Sequence, residues 1–141
     1  MSGITLAQAN KVIEAALTTA REKQFRPMAV VVLDESGNVR ALQREDGASM
    51  FRVDIATGKA WASIGMGVSS RTLGERARDN PNFYGALAAT SGGKFLPQPG
   101  AVLIKNADGQ VLGAAGASGG SGDEDELICM AGIEAAGLQH A

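Results

Sequence analysis

The chain has 141 residues, 45% of them hydrophobic and 20% charged, with a net charge of −2. This is the size and balance of one soluble globular domain with a sizeable core, and it excludes the disordered and membrane-spanning classes. Asp and Glu outnumber Lys and Arg, 15 against 13, and the basic residues are dispersed, so the electrostatic footprint that a nucleic acid requires is missing.

Thr5 and Gln8 form a capping box, and Leu6, Ala9, Ile13, Ala16, Leu17 and Ala20 then recur at helical spacing. After Pro27, the apolar run Met28 to Leu33 turns at residues 34–38 into Val39 to Arg44, which predicts an antiparallel hairpin. Ser49 to Met66 reads as a helix with apolar or small residues on nearly every side, hence mostly buried. Gly58, Ser63, Gly65 and Gly67 would let the sheet or a second subunit approach it closely, so self-association is expected.

Ser69 to Ala89 reads as two short helices broken at Asp79-Asn80-Pro81, and Gly92-Gly93 marks a turn. Lys94 to Gly100 is extended because each residue before a proline is pushed away from helix, with a short extra strand expected near Phe95. Ala101 to Lys105 and Val111 to Ala117 flank Asn106-Ala107-Asp108-Gly109 as a second hairpin. Ser118-Gly119-Gly120-Ser121-Gly122 then opens a last helix that begins with four carboxylates and is capped by Gly137. Two readings of this glycine loop stand side by side: a small-ligand site, or a tight turn before a well-capped helix. The order α-β-β-α-α-β-β-α predicts one antiparallel sheet with helices on its faces.

Cys129 cannot form an internal disulfide and falls on the apolar side of the last helix, as a buried structural thiol does. Met1 to Ala9 has neither the basic start nor the apolar stretch of a leader peptide, so a cytoplasmic location is expected for the chain as given.

Arg44-Glu45-Asp46-Gly47-Ala48, Ala56-Thr57-Gly58-Lys59-Ala60-Trp61, Gly92 to Gly100 and Ser118 to Glu126 together resemble the GlcG/HbpS family of haem-binding and PduO C-terminal-like domains. The likeness runs over essentially the whole chain. It implies a profilin-like, three-layer α/β/α domain with a five-stranded antiparallel sheet, assembled as a homo-oligomer. It also implies haem or another tetrapyrrole as ligand in some members, and a place in glycolate, propanediol or aromatic catabolism in others.

Haem iron takes an axial His, Cys, Met or Tyr most often. His140, the only histidine, lies one residue from the C-terminus, where chains fray, and is expected on the surface. Met28, Met50, Met66 and Met130 read as core filling, which leaves Tyr84. A cofactor-free isomerase or tautomerase acting on a small carboxylate is the alternative, resting on Lys94, Glu124 and Asp46, with Lys59 also considered. Arg71 and Arg44 are candidates to grip the substrate carboxylate. A third reading is an accessory protein that binds another protein. Because Lys94 leads into the second hairpin and Ser118 leaves it at the end opposite its turn, both glycine loops are expected to line one cleft. Lys94, Gln98, Ser118, Gly119 and Gly120 would bind the ligand there.

Phe95 stands where a phosphate-binding loop needs Ser or Thr, which excludes a nucleotide triphosphatase. One Cys and one terminal His cannot make a tetrahedral zinc set, and a Ser-His-Asp triad would need a histidine in the body of the fold.

Overall fold

The computed structural model describes residues 3–141; Met1 and Ser2, the start of the stretch read for a leader peptide, lie outside it. The elements are α1 (Leu6–Glu22), β1 (Ala29–Asp34), β2 (Val39–Arg44), α2 (Phe51–Met66), α3 (Ser70–Asp79), α4 (Pro81–Thr90), β3 (Ala101–Lys105), β4 (Val111–Ser118), α5 (Gly122–Ala135) and β5 (Gln139–His140). The strands form one antiparallel sheet in the order β2-β1-β4-β3-β5. Helices α1 and α5 cover one face and α2 the other, which makes the expected α/β/α layers.

Alternation along β1 builds both cores at once. Val30 and Val32 point into the α1/α5 layer, whereas Val31 and Leu33 point toward α2. Strand β4 takes the opposite approach, with Ala115 and Ala117 small on the α1/α5 face and Ala114 and Gly116 keeping the sheet thin beneath α2. A Cβ on Gly116 would lie 2.4 Å from the Ala56 carbonyl oxygen, so the helix sits almost on the strand backbone.

The first helix begins with the capping box read from Thr5 and Gln8, and the two short helices break at Asn80-Pro81 as expected. Helix α2 starts two residues later than Ser49, and Met50 beside it is 72% exposed rather than core. Met28 is fully buried, whereas Met66 and Met130 are only partly so. The spare apolar side of α2 is covered within the chain, where Ala62 packs with Leu73 of α3, Tyr84 of α4 and Phe95.

The fifth strand lies at the C-terminus, not near Phe95. Pro97 and Pro99 deprive that segment of ladder donors, and Phe95 turns inward to 5% exposure instead. At the other end Gly137, at φ +76°, reverses the chain. Its N–H donates to Glu134 and that of Leu138 to Ile133, the paired bonds of a Schellman cap. His140 then pairs with Ile104, and Leu103 and Ala141 exchange backbone bonds of 2.8 and 3.1 Å, so this terminus is docked and not frayed. Cys129 is fully buried, as read, and burial pushes its thiol pKa far up, with Asp125 adding to the effect. No helix among the described residues is long and apolar enough to cross a membrane.

Two glycines should respond oppositely to substitution by alanine. Gly116→Ala forces α2 off β4 and is expected to lower stability in urea by about 2–3 kcal/mol. Gly65→Ala, in helical backbone with nothing within 4 Å of the new methyl, should raise it by about 0.5–1 kcal/mol. Equal midpoints for the two variants would contradict this packing.

Candidate functional site

The loop after β4 is held by side chains that reach across the end of the sheet. Lys59 leaves α2 with its side chain 5% exposed and meets Asp125 of α5 at 3.0 Å, itself 2% exposed. The same ammonium donates to the Ala117 carbonyl at 3.1 Å, and the second oxygen of Asp125 accepts from the Gly120 N–H at 2.9 Å. Lys59 is therefore no solvated helix position. It is a buried charge that survives because it is paired and hydrogen-bonded.

Around this pair lies a polar depression of about 390 Å³, lined by Arg52, Lys59, Gln98, Ser118, Gly120 and Asp125 among others. Arg52 Nη1 donates to Ser118 Oγ over 3.3 Å. A second, larger depression of about 670 Å³ lies between α2, the β1–β2 turn and residues 92–96, with Trp61, Ile55 and Leu96 among its walls. Lys94 Nζ stands 5.8 Å from the centre of the Trp61 ring, within cation–π range. Gly58 permits this arrangement, since a Cβ there would lie 2.8 Å from the Lys94 carbonyl oxygen.

The two glycine loops thus do not share one cleft. Gly92, Gly93 and Lys94 line the larger depression, Gln98, Ser118 and Gly120 the polar one, and of these walls only Ile55 belongs to both. Gly119 lines neither. Its close neighbour is the Pro27 carbonyl oxygen, which a Cβ would approach to 2.2 Å. Gly119, Gly120 and Gly122 all keep negative or extended φ, so close approach and not left-handed backbone is what demands glycine here.

The residues read as an acid and base set stand apart. Glu124 closes the α5 capping box, accepting from the Ser121 N–H at 2.9 Å. Asp46 is exposed on the β2–α2 turn, in a third depression with Arg21 and Arg44. Arg71 is held in its charged form by Asp123 first and Glu126 second, a link from α3 to α5, while Arg44 donates to the Ala48 carbonyl at 2.6 Å. Arg71 is thus engaged by two carboxylates, whereas Arg44 keeps open donors but lines a different depression from Lys94. Among the iron-ligand candidates, Tyr84 is 7% exposed beside Phe95, and His140 Nε2 lies 2.8 Å from Glu134.

Arg52 was missed, and among the four carboxylates that open α5 the sequence reading prefers Glu124 to Asp125, although a signal for Asp125 exists. Ile128, Cys129, Gly132 and Ile133 mark the buried face of α5, and stepping back one turn along it lands on Asp125 and not Glu124. Lys59 likewise falls on the buried stripe of Ala56, Ala60 and Ser63.

A family model described as haem degrading protein HbpS-like matches residues 4–134. Klebsiella pneumoniae protein ORFY superposes with a TM-score of 0.87 at 27% identity, over 97% of this chain and 92% of that one. PduOC, solved as a haem complex, gives 0.85 at 26% over 94% of each chain. A double mutant of Streptomyces reticuli HbpS gives 0.81 at 27% over 95% and 87%.

Breaking the buried pair from one side should be severe. Lys59→Met leaves Asp125 charged without its counterion and is expected to cost about 3–5 kcal/mol in urea denaturation. Adding Asp125→Leu should return much of that loss. A single variant within about 1 kcal/mol of the parent would mean that the pair is not desolvated as described.

Proposed function

The chain belongs to the HbpS-like family, as the resemblance implied, and from that premise we propose that it is a small haem- or tetrapyrrole-binding protein. The ligand lies in the 670 Å³ depression beside α2. The observation that carries this is a wall of Trp61, Ile55 and Leu96 with a single ammonium, Lys94, poised 5.8 Å from the indole. A flat macrocycle offers apolar faces to such a wall and carboxylates to such a cation. PduOC, solved as a haem complex, adds support from a chain of the same fold at 26% identity.

The fit extends to the macrocycle and its acid groups more than to its metal. Among the described residues no His, Cys, Met or Tyr lines this depression, so the iron would be held by Asp54, Asn38 or Lys94. Bound haem supplies an iron centre for ligand binding or electron exchange. The chain's own part is to stack Trp61 and Leu96 on the ring and to hold a propionate at Lys94. Such a site binds weakly, because hydrophobic contact and one charge-assisted bond carry it.

Self-association belongs to the same reading. It rests on the adjacent exposed side chains Met50 and Phe51, 72% and 61% accessible, and not on the covered side of α2. Light scattering should then give a mass well above 14.4 kDa.

Hemin titration tests the ligand. A Soret shift that saturates near one haem per chain is expected, weakened about tenfold by Lys94→Ala and more by Trp61→Ala, with His140→Ala close to the parent. Gradual change without saturation would remove the haem reading.

A further inference from the structure

The polar depression holds one cationic side chain that has no ion-pair partner among the described residues. Lys59 faces Asp125, and Asp123 on its rim is paired with Arg71. That leaves Arg52, half-buried in the first turn of α2. Among the described residues no carboxylate lies within ion-pair range of Arg52, and its one side-chain contact is the long bond to Ser118. A guanidinium has five N–H donors in a planar fork, so most of its hydrogen-bonding capacity is open. Lys59 lines the same depression with three ammonium protons and two acceptors, Ala117 O and Asp125 Oδ2.

We propose that this depression is a binding site for a small monocarboxylate of the hydroxy-acid class, separate from the Trp61 depression. The Arg52 fork takes the carboxylate, the remaining Lys59 proton adds a second charged donor, and Ser118 and Gln98 take the neighbouring hydroxyl. One carboxylate is favoured over two, because Arg52 is the one lining cation without an ion pair and Asp123 and Asp125 would repel a second anionic group. The buried Lys59–Asp125 pair sets the floor. It fixes the Ser118 to Gly120 backbone through Gly120, which places the Ser118 hydroxyl opposite Arg52.

Calorimetric titration of the full chain with L-lactate, and with its neutral amide lactamide, tests this without presuming the natural ligand. Lactate should bind saturably at one site per chain and lactamide should not. Arg52→Gln should weaken lactate by about tenfold or more, as loss of a charge-assisted contact does. Arg26→Gln, the same charge change at an exposed position on the α1–β1 connection, should leave it unaltered. Arg52→Lys, which keeps the charge and loses the fork, should fall between, and it replaces Arg52→Gln if circular dichroism shows that variant unfolded. Equal binding of lactate and lactamide, absence of saturation, or parent-like affinity in the Arg52 variants would each overturn the site. A negative result here leaves the hemin titration intact, since that reads a different wall of α2.

Discussion

The Lys59–Asp125 pair joins what the sheet keeps apart. Lys59 comes from the layer on one face and Asp125 from the layer on the other, and they meet past the end of β4 where Gly100 leaves room. A Cβ on Gly100 would lie 2.5 Å from the Lys59 ammonium, and its φ of +138° suits glycine. Taking both charges out of water is costly, and well-packed apolar side chains could match the pair in stability. What the pair adds is specificity. Its hydrogen bonds set the backbone from Ala117 to Gly120 at one position, and the polar depression is built on that backbone.

Close approach of backbones is the condition under which such short reaches succeed. Gly116 seats α2 on β4, and Gly132 seats α5 on α1, where a Cβ would come within 2.3 Å of the Val12 carbonyl oxygen. With layers this near, the Lys59 side chain spans from helix to loop and reaches both Asp125 and the Ala117 carbonyl. The bulk that fills the cores comes from β1, Ile13, Ile104, Ile128 and Leu103. Large and small residues are thereby divided between elements, β1 supplying volume and β4 supplying thinness.

Local chemistry is what could be read directly from the amino acids. The Thr5–Gln8 box, both hairpins and the break at Asn80-Pro81 each depend on residues within a few positions of one another. The fifth strand escaped because two residues carry no period, and its pairing depends on a helix cap and on β3. Lys59 and Asp125 are 66 positions apart, so no local pattern couples them. Glu124 was favoured over Asp125 by its loop position, although the helical period separates the two: one closes the cap in solvent and the other points to the core. Lys94 was correctly placed on an open loop, but its neighbour Trp61 lies on α2, and only the fold brings them together.

Helix α2 offers different chemistry to its two depressions because successive residues turn about 100° around the axis. Arg52 and Lys59 fall close together on that wheel and face the polar depression, whereas Gly58 and Trp61 lie well around from them and line the apolar one. Ile55, between these directions, is the shared wall. The segment from Lys94 to Pro99 continues the division along its own length, with Lys94 and Leu96 at the apolar end and Gln98 and Pro99 at the polar end. Gly58 lets that segment lie directly on the helix, where a Cβ would meet the Lys94 carbonyl oxygen and the Leu96 side chain, and the two depressions share only Ile55. A charged ligand on one side and a planar apolar one on the other would therefore meet separate donors, and each depression can change its ligand preference by substitutions that leave its neighbour's walls in place.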